Sequence, residues 1–200
     1  MKRMTLLAVC LSLIGFCSAQ TVSGTKAVGG GITFTSTTEP GYEGDEGKET
    51  SFSFIPSLGY FVADQFMVGL NVGFSSGKST GVNFYETKST GFAVGPFARY
   101  YMHTSNENFA FYGQASVLFG SGKDTIEDLD TETKSSVLDI AVSPGFAYFF
   151  NEHWAVELGF RGIGYNQEDP NKDADDDEVK TFDIGLNSLM PANLGFRYHF

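Results

Sequence analysis

The densest group of chemically active side chains is an acidic run near the end of the chain. It consists of Asp173, Asp175, Asp176, Asp177 and Glu178. Carboxylate clusters can coordinate Ca²⁺ or Mg²⁺. The run opens like an EF-hand loop, but Glu178 replaces the turn glycine and Ile184 stands where the bidentate glutamate belongs. The EF-hand interpretation therefore fails, and two alternatives stay open: a loose divalent-cation site, or a solvated, self-repelling loop. We expect no dedicated metal centre and no cofactor.

Four further charges lie within segments that alternate between apolar and polar residues, a pattern typical of β-strands. Arg99, Glu157 and Arg197 each fall on the polar face, three residues from one end of their segment, and Arg161 lies one level further along. Side chains at matching levels of neighbouring strands meet. We therefore expect Glu157 and Arg197 to pair directly, with Arg99 across from them.

The segments that carry these charges repeat along the chain. Residues 56–61, 96–101 and 144–149 share the pattern Pro-x-x-x-Tyr-aromatic, and Tyr198 closes a fourth unit. Successive tyrosines of the pattern are 40, 48 and 50 residues apart, enough for one hairpin and its loop. Four units predict eight strands, near residues 27–37, 50–61, 66–76, 89–102, 109–120, 137–150, 154–166 and 181–200. We expect bulges or bends at the three prolines, because proline cannot donate to a strand ladder.

The connections between these strands alternate in length. Those near 63–65, 103–108 and 151–153 are short, whereas those near 38–49, 77–88, 121–136 and 167–180 are long, polar and mostly acidic. Aromatic residues gather at the short-turn ends (Tyr60, Phe61, Phe66, Tyr100, Tyr101, Phe109, Phe149, Phe150, Trp154, Phe200), as in a membrane-interface girdle. The bulky face of each strand suits lipid, and the narrower Gly/Ser/Asn/Arg face suits a lumen. We predict an all-β, closed eight-stranded antiparallel up-and-down transmembrane β-barrel. A soluble β-sandwich or lipocalin-like barrel is the alternative, with the apolar faces inward.

The first residues have the features of a secretory signal. Lys2 and Arg3 precede an apolar run, and Cys17-Ser18-Ala19 offers small residues for cleavage. We expect a signal peptide over 1–19 and a barrel domain over 20–200. Removing Lys2 and Arg3 takes the net charge from −11 to −13, and both cysteines leave as well. Such acidity argues against nucleic-acid binding.

The mature chain resembles the small eight-stranded bacterial outer-membrane β-barrel family, in particular the Bacteroidetes-type outer membrane protein beta-barrel domain that carries a porin-family label. Residues 95–101 (GPFARYY) and 154–160 (WAVELGF) carry the resemblance. Phe196, Tyr198 and Phe200 resemble the C-terminal membrane-insertion signal of such barrels. The resemblance implies a place in the cell outer membrane with extracellular loops and periplasmic termini. It also implies contact with outer-membrane lipid and lipopolysaccharide, insertion by the barrel-assembly machinery, and a monomer.

Function follows less directly, because this family shares no catalytic residues. We expect a structural or surface-interaction barrel whose lumen is plugged by the charged side chains; the alternative is narrow porin-like transport of small or apolar solutes. We expect no enzymatic activity. His103-Thr104-Ser105 has the His-x-Ser spacing of one lipid A deacylase type, but it lies on a short turn at the periplasmic end.

Overall fold

The computed structural model describes residues 21–40, 46–80, 86–126, 131–172, 178–185 and 193–200, so the expected signal peptide lies outside the described residues. Ten strands occupy these ranges. They are β1 (Lys26–Pro40), β2 (Glu46–Ala63), β3 (Phe66–Thr80), β4 (Glu86–His103), β5 (Phe109–Ile126), β6 (Thr131–Phe149), β7 (Trp154–Gly159), β8 (Ile163–Asp169), β9 (Val179–Ile184) and β10 (Asn193–His199). Within the described part of the chain, no helix is long and apolar enough to cross a membrane.

Eight of these strands form a closed antiparallel ring. Strands β1 to β6 each pair with the next strand in sequence. Strand β7 also pairs with β10, and β10 pairs with β1. The ring closes through residues 27–32 of β1, which face 194–199 of β10. The predicted eight-stranded up-and-down topology is therefore confirmed.

The predicted seventh and eighth strands are each divided in two. Residues 154–166 become β7 and β8, and residues 181–200 become β9 and β10. Residues 145–149 of β6 pair with β7 and residues 136–142 pair with β8. Three residues, 160–162, thus stand opposite two, Ser143 and Pro144, which is the arrangement of a β-bulge. The extra residue reverses the faces, so Trp154 and Ile163, an odd number of residues apart, are both exposed on the outside.

Pro56 and Pro96 each interrupt one ladder. Pro56 is unpaired in the β2–β3 ladder, and Pro96 is unpaired in the β4–β5 ladder. The ladder on the other side of each proline continues, through Gly30 and Leu70 respectively. No register shift accompanies either gap, so the expected bulge occurs only opposite Pro144.

The two faces of the ring have opposite character. Large apolar side chains are exposed on the outside, among them Phe34 (69%), Leu58 (64%), Leu70 (53%), Phe74 (50%) and Phe119 (58%). The sandwich alternative required these side chains to be inside. An apolar band that surrounds the whole ring is incompatible with an aqueous surface and suits lipid.

Candidate lumen site

A buried ion-pair cluster crosses the lumen near the short-turn end. Arg99 lies on β4, Glu157 on β7 and Arg197 on β10, and all three side chains point inward because they share the polar face of their strands. Their exposed fractions are 6%, 4% and 2%. The register of β7 and β10 sets Glu157 opposite Gly195, which leaves room for the side chain of Arg197 one step away.

The Glu157 carboxylate is the centre of this cluster. Its Oε1 accepts hydrogen bonds from Arg99 Nη1 at 2.6 Å, Arg197 Nε at 2.9 Å and the Tyr101 hydroxyl at 3.0 Å. Its Oε2 accepts from Arg197 Nη2 at 3.2 Å. One carboxylate thus joins three strands of the ring through charge-assisted bonds, the stronger class of hydrogen bond.

The rest of the Arg99 guanidinium contacts Gln114 and Tyr112, which the sequence analysis did not assign to the cluster. Arg99 Nε and Nη2 both donate to Gln114 Oε1, at 2.9 Å and 2.6 Å. Its Cζ lies 4.1 Å from the centre of the Tyr112 ring, within the range of a cation–π contact. Gln114 and Tyr112 lie on β5, next to β4. Their position at the level of Arg99 on the adjacent strand is the signal from which the sequence could have predicted these contacts.

Arg161 does not join the Glu157 cluster. Its Nη2 pairs with Asp139 at 2.9 Å and its Nε with Asp183 at 3.1 Å. Its side chain is 41% exposed, because the bulge at residues 160–162 displaces this part of the wall. Both clusters line one cavity of about 210 Å³.

A fully buried aromatic layer lies on the short-turn side of the Glu157 cluster. Phe61, Tyr101, Phe149 and His199, here called the aromatic floor, are each at most 1% exposed. Their ring centres are 5.7 to 6.3 Å apart around a closed circuit. They come from β2, β4, β6 and β10, whereas three of the other four strands contribute only Ala27, Ala110 and Ala155 at this end. Met67 of β3 is also fully buried in this cluster, so large and small residues alternate around only part of the ring.

The floor corrects part of the expected membrane-interface girdle. Phe61, Tyr101 and Phe149 face the lumen, whereas their sequence neighbours Tyr60 and Phe150 are exposed outside at 46% and 49%. Alternation along a strand sends adjacent aromatic residues to opposite faces. The Tyr-aromatic pair of each repeat therefore supplies one residue to the girdle and one to the floor.

On the other side of the cluster the lumen is wide and lined by hydroxyl groups. A cavity of about 510 Å³ is bordered mainly by serine, threonine and glycine of β2 to β6, including Ser51, Ser53, Ser75 and Ser89. Small side chains at these inward positions leave the space unfilled. This wider part of the lumen, here called the vestibule, lies on the opposite side of the Glu157 cluster from the aromatic floor.

Of the predicted acidic-run residues, Asp173, Asp175, Asp176 and Asp177 lie outside the described residues. Glu178 accepts hydrogen bonds from Gln167 Nε2 at 2.8 Å and from Lys180 Nζ at 3.0 Å. The hydrogen bonds from Lys180 and Gln167 hold the pKa of Glu178 below its ordinary value. Across the described ranges, no three histidine, cysteine, aspartate or glutamate residues come together as a metal site.

The C-terminal residues and the histidines have structural contacts. Phe196 and Phe200 are exposed at 51% and 59%, and the Tyr198 ring lies 4.9 Å from Trp154 and 6.0 Å from Phe200. Phe200 exchanges two backbone hydrogen bonds of 2.9 Å with Lys26 of β1. His103 Nε2 lies 2.9 Å from Thr21 Oγ1, and its ring stacks on Phe149.

Comparison with known proteins agrees with this architecture. The family model described as outer membrane protein beta-barrel domain matches residues 8–188. OprG from Pseudomonas aeruginosa is 15% identical, with 91% of this chain and 98% of that chain covered and a TM-score of 0.50. Neisserial surface protein A is 15% identical, with 88% and 96% covered and a TM-score of 0.46. Ail, the attachment invasion locus protein of Yersinia pestis, is 15% identical, with 90% and 100% covered and a TM-score of 0.46.

At 15% identity and a TM-score of 0.50, the likeness to OprG shows the fold alone, and no curated protein matches the chain. The narrower Bacteroidetes-type label stays a prediction. The location is the outer membrane, and the apolar exterior of the ring is the part that meets lipid. With its closed ring of eight strands and the family model matched over residues 8–188, the chain belongs to the outer membrane protein beta-barrel domain family.

Proposed function

We propose that this protein is a structural or surface-interaction barrel that does not conduct solutes. The proposal is supported chiefly by two layers of buried side chains in the lumen, the Glu157 cluster and the aromatic floor beneath it. An eight-stranded ring has an interior just wide enough for side chains to fill. A closed lumen leaves the outer wall and the long connections between strands as the surfaces that can meet a partner.

The orientation is the second part of the proposal. The long connections face outside the cell and the short turns face the periplasm together with both termini. At one end the strands are joined by the short connections 64–65, 104–108 and 150–153. At the other end they continue into the long polar stretches 38–49, 77–88 and 121–136, and this asymmetry supports the orientation because it is typical of bacterial outer-membrane barrels. In this orientation the vestibule opens to the outside. We further propose a monomer without catalytic activity that contacts lipopolysaccharide and is inserted by the barrel-assembly machinery.

Single cysteines test the orientation in intact cells, because the two natural cysteines, Cys10 and Cys17, fall within the expected signal peptide. Thr131→Cys lies at the start of β6, at the long-connection end, and Ser105→Cys lies in the short turn after β4. A membrane-impermeant maleimide is expected to label only Thr131→Cys until the cells are lysed. Labelling of Ser105→Cys alone would reverse the orientation.

The competing function is narrow transport of small or apolar solutes. The adjoining cavities of about 510 and 210 Å³ support it, because they lead from one end of the lumen to the Glu157 cluster. Osmotic swelling of liposomes that contain the refolded protein separates the two functions. We expect swelling in glycerol, arabinose or glycine no faster than in protein-free liposomes. Faster swelling for any of these solutes would favour transport.

A further inference from the structure

The outer wall carries a row of lysines above the apolar band. Lys48, Lys78, Lys88, Lys123 and Lys134, here called the lysine collar, lie on the five successive strands β2 to β6. Five of the nine lysines of the chain thus occupy one level of a protein whose net charge is −11. The side chains of Lys78, Lys88 and Lys123 are 54%, 50% and 43% exposed.

Strand periodicity puts the collar on the lipid-facing side of the wall. Each collar lysine lies four residues beyond an outward apolar residue: Phe52, Phe74, Phe92, Phe119 and Leu138. Four residues span about 13 Å along a strand. Between the two levels every strand has a serine or threonine on the same face: Thr50, Ser76, Thr90, Ser121 and Ser136. The order along the wall is therefore apolar, then hydroxyl, then ammonium.

The collar contains two directly opposed pairs of like charge. Lys78 is the cross-strand partner of Lys88, and Lys123 is the partner of Lys134. Directly opposed like charges destabilise a sheet. Carboxylates lie beside both pairs: Glu86 is 2.7 Å from Lys78 and 3.7 Å from Lys88, and Glu132 pairs with Lys123.

Each pair borders a groove in the outer wall. One groove, of about 720 Å³, is lined by Lys48, Lys78 and Lys88, with Phe52 at its apolar end. The other, of about 420 Å³, is lined by Lys123, Lys134 and Lys172. The backbone N–H of Lys172 donates to the Lys134 carbonyl at 2.9 Å, which holds the third lysine at this groove. Thr90 borders both grooves, so they are neighbours on the wall.

We propose that the lysine collar binds the phosphate groups of a phosphorylated glycolipid of the lipid A type in the outer leaflet. The apolar level contacts acyl chains, the hydroxyl level contacts the sugar, and the ammonium groups bind phosphate as point charges. A phosphate between two opposed lysines removes the repulsion that the sheet otherwise carries. The inference rests on the proposed orientation, which places the collar in the outer leaflet.

Binding of the refolded barrel, in detergent, to lipid A with two phosphates tests the proposal, with dephosphorylated lipid A and phosphatidylglycerol as comparison ligands. Wild type is expected to bind bisphosphorylated lipid A more tightly than both. Because each lysine near an anionic lipid surface contributes about 1 kcal/mol, Lys78→Gln/Lys88→Gln and Lys123→Gln/Lys134→Gln should each weaken binding roughly ten- to thirtyfold. Lys26→Gln, at the opposite end of β1, is the control and should change binding less than about twofold.

Three results would overturn the proposal: equal binding of dephosphorylated lipid A, equal binding of phosphatidylglycerol, or an equal loss of binding in Lys26→Gln. Heat-modifiable migration in gel electrophoresis shows that each variant has folded, so a loss of binding is not due to misfolding. The assay does not depend on orientation, whereas cysteine labelling does. A reversed orientation would count against the proposed function and would also place the collar in the inner leaflet, away from lipid A. Correct labelling without lipid A binding would count against the collar alone.

Discussion

At the scale of single residues, Glu157 is the side chain that holds the lumen cluster together. It is one carboxylate shared by two buried guanidinium groups and a phenol. Removing one partner of a buried ion pair leaves uncompensated charge in a region of low dielectric constant. Glu157→Ala is therefore expected to lower the free energy of unfolding by about 3–5 kcal/mol. Urea titration of the refolded protein, followed by the fluorescence of the single tryptophan, Trp154, measures this change.

Two comparison variants separate charge from packing in that experiment. Asp124→Ala removes a carboxylate from the open vestibule and should change stability by less than about 0.5 kcal/mol. Replacing Arg99, Glu157 and Arg197 together by methionine removes all three charges and should recover most of the loss. A Glu157→Ala protein as stable as Asp124→Ala would show that the cluster does not hold the ring together.

Much of this cluster is readable from the sequence. Alternation and distance from the turns place Arg99, Glu157 and Arg197 on one face and at one level, where the structure brings them together. Arg161 differs because a single inserted residue in the wall displaces everything beyond it, and the pattern of residue types does not reveal that insertion. The stacking of Tyr112 on Arg99 depends on how the ring curves.

At the scale of strands, glycines opposite large rings allow the lumen layers to pack. A Cβ atom on Gly145 would collide with the Tyr112 ring and would lie 2.6 Å from the Leu158 carbonyl oxygen. Gly145→Ala should therefore cost about 1–3 kcal/mol in unfolding free energy through overpacking. Gly113→Ala is the matched control on the neighbouring strand, because nothing lies within 4 Å of its Cβ position. Equal urea midpoints for the two variants would contradict this packing.

The strand pattern was also largely predictable, with two informative exceptions. Period-2 alternation and turn spacing gave eight strands and their order, because both follow from local chemistry. The strands reach further into the long connections than predicted; β4, for example, begins at Glu86 rather than near residue 89. Polar residues there form ladders without an apolar face, which alternation cannot detect. The division at residues 160–162 lies opposite Pro144 of the neighbouring strand, and because Pro56 and Pro96 cause no such shift, proline alone does not predict it.

At the scale of the whole molecule, the outside of the ring is an apolar band and its charges lie at the ends. Leu70 is 53% exposed within that band. Leu70→Arg should lower stability in lipid vesicles by about 2–4 kcal/mol, the cost of a charge near the bilayer midplane. Thr50→Arg, at the hydroxyl level, should cost no more than about 1 kcal/mol. Urea titration in vesicles measures both, and equal costs would show that the apolar band is not in the membrane.

The central claim is that the lumen is closed twice, by the Glu157 cluster and by the aromatic floor. Planar-bilayer conductance tests it most directly, with wild type, Glu157→Ala, Tyr101→Ala/Phe149→Ala and the combination of all three changes. We predict no conductance steps from wild type and none from Glu157→Ala alone, because the floor stays in place. The combined variant should give resolved steps. Stable, solute-blockable steps from wild type would contradict the claim and show that this barrel is a pore.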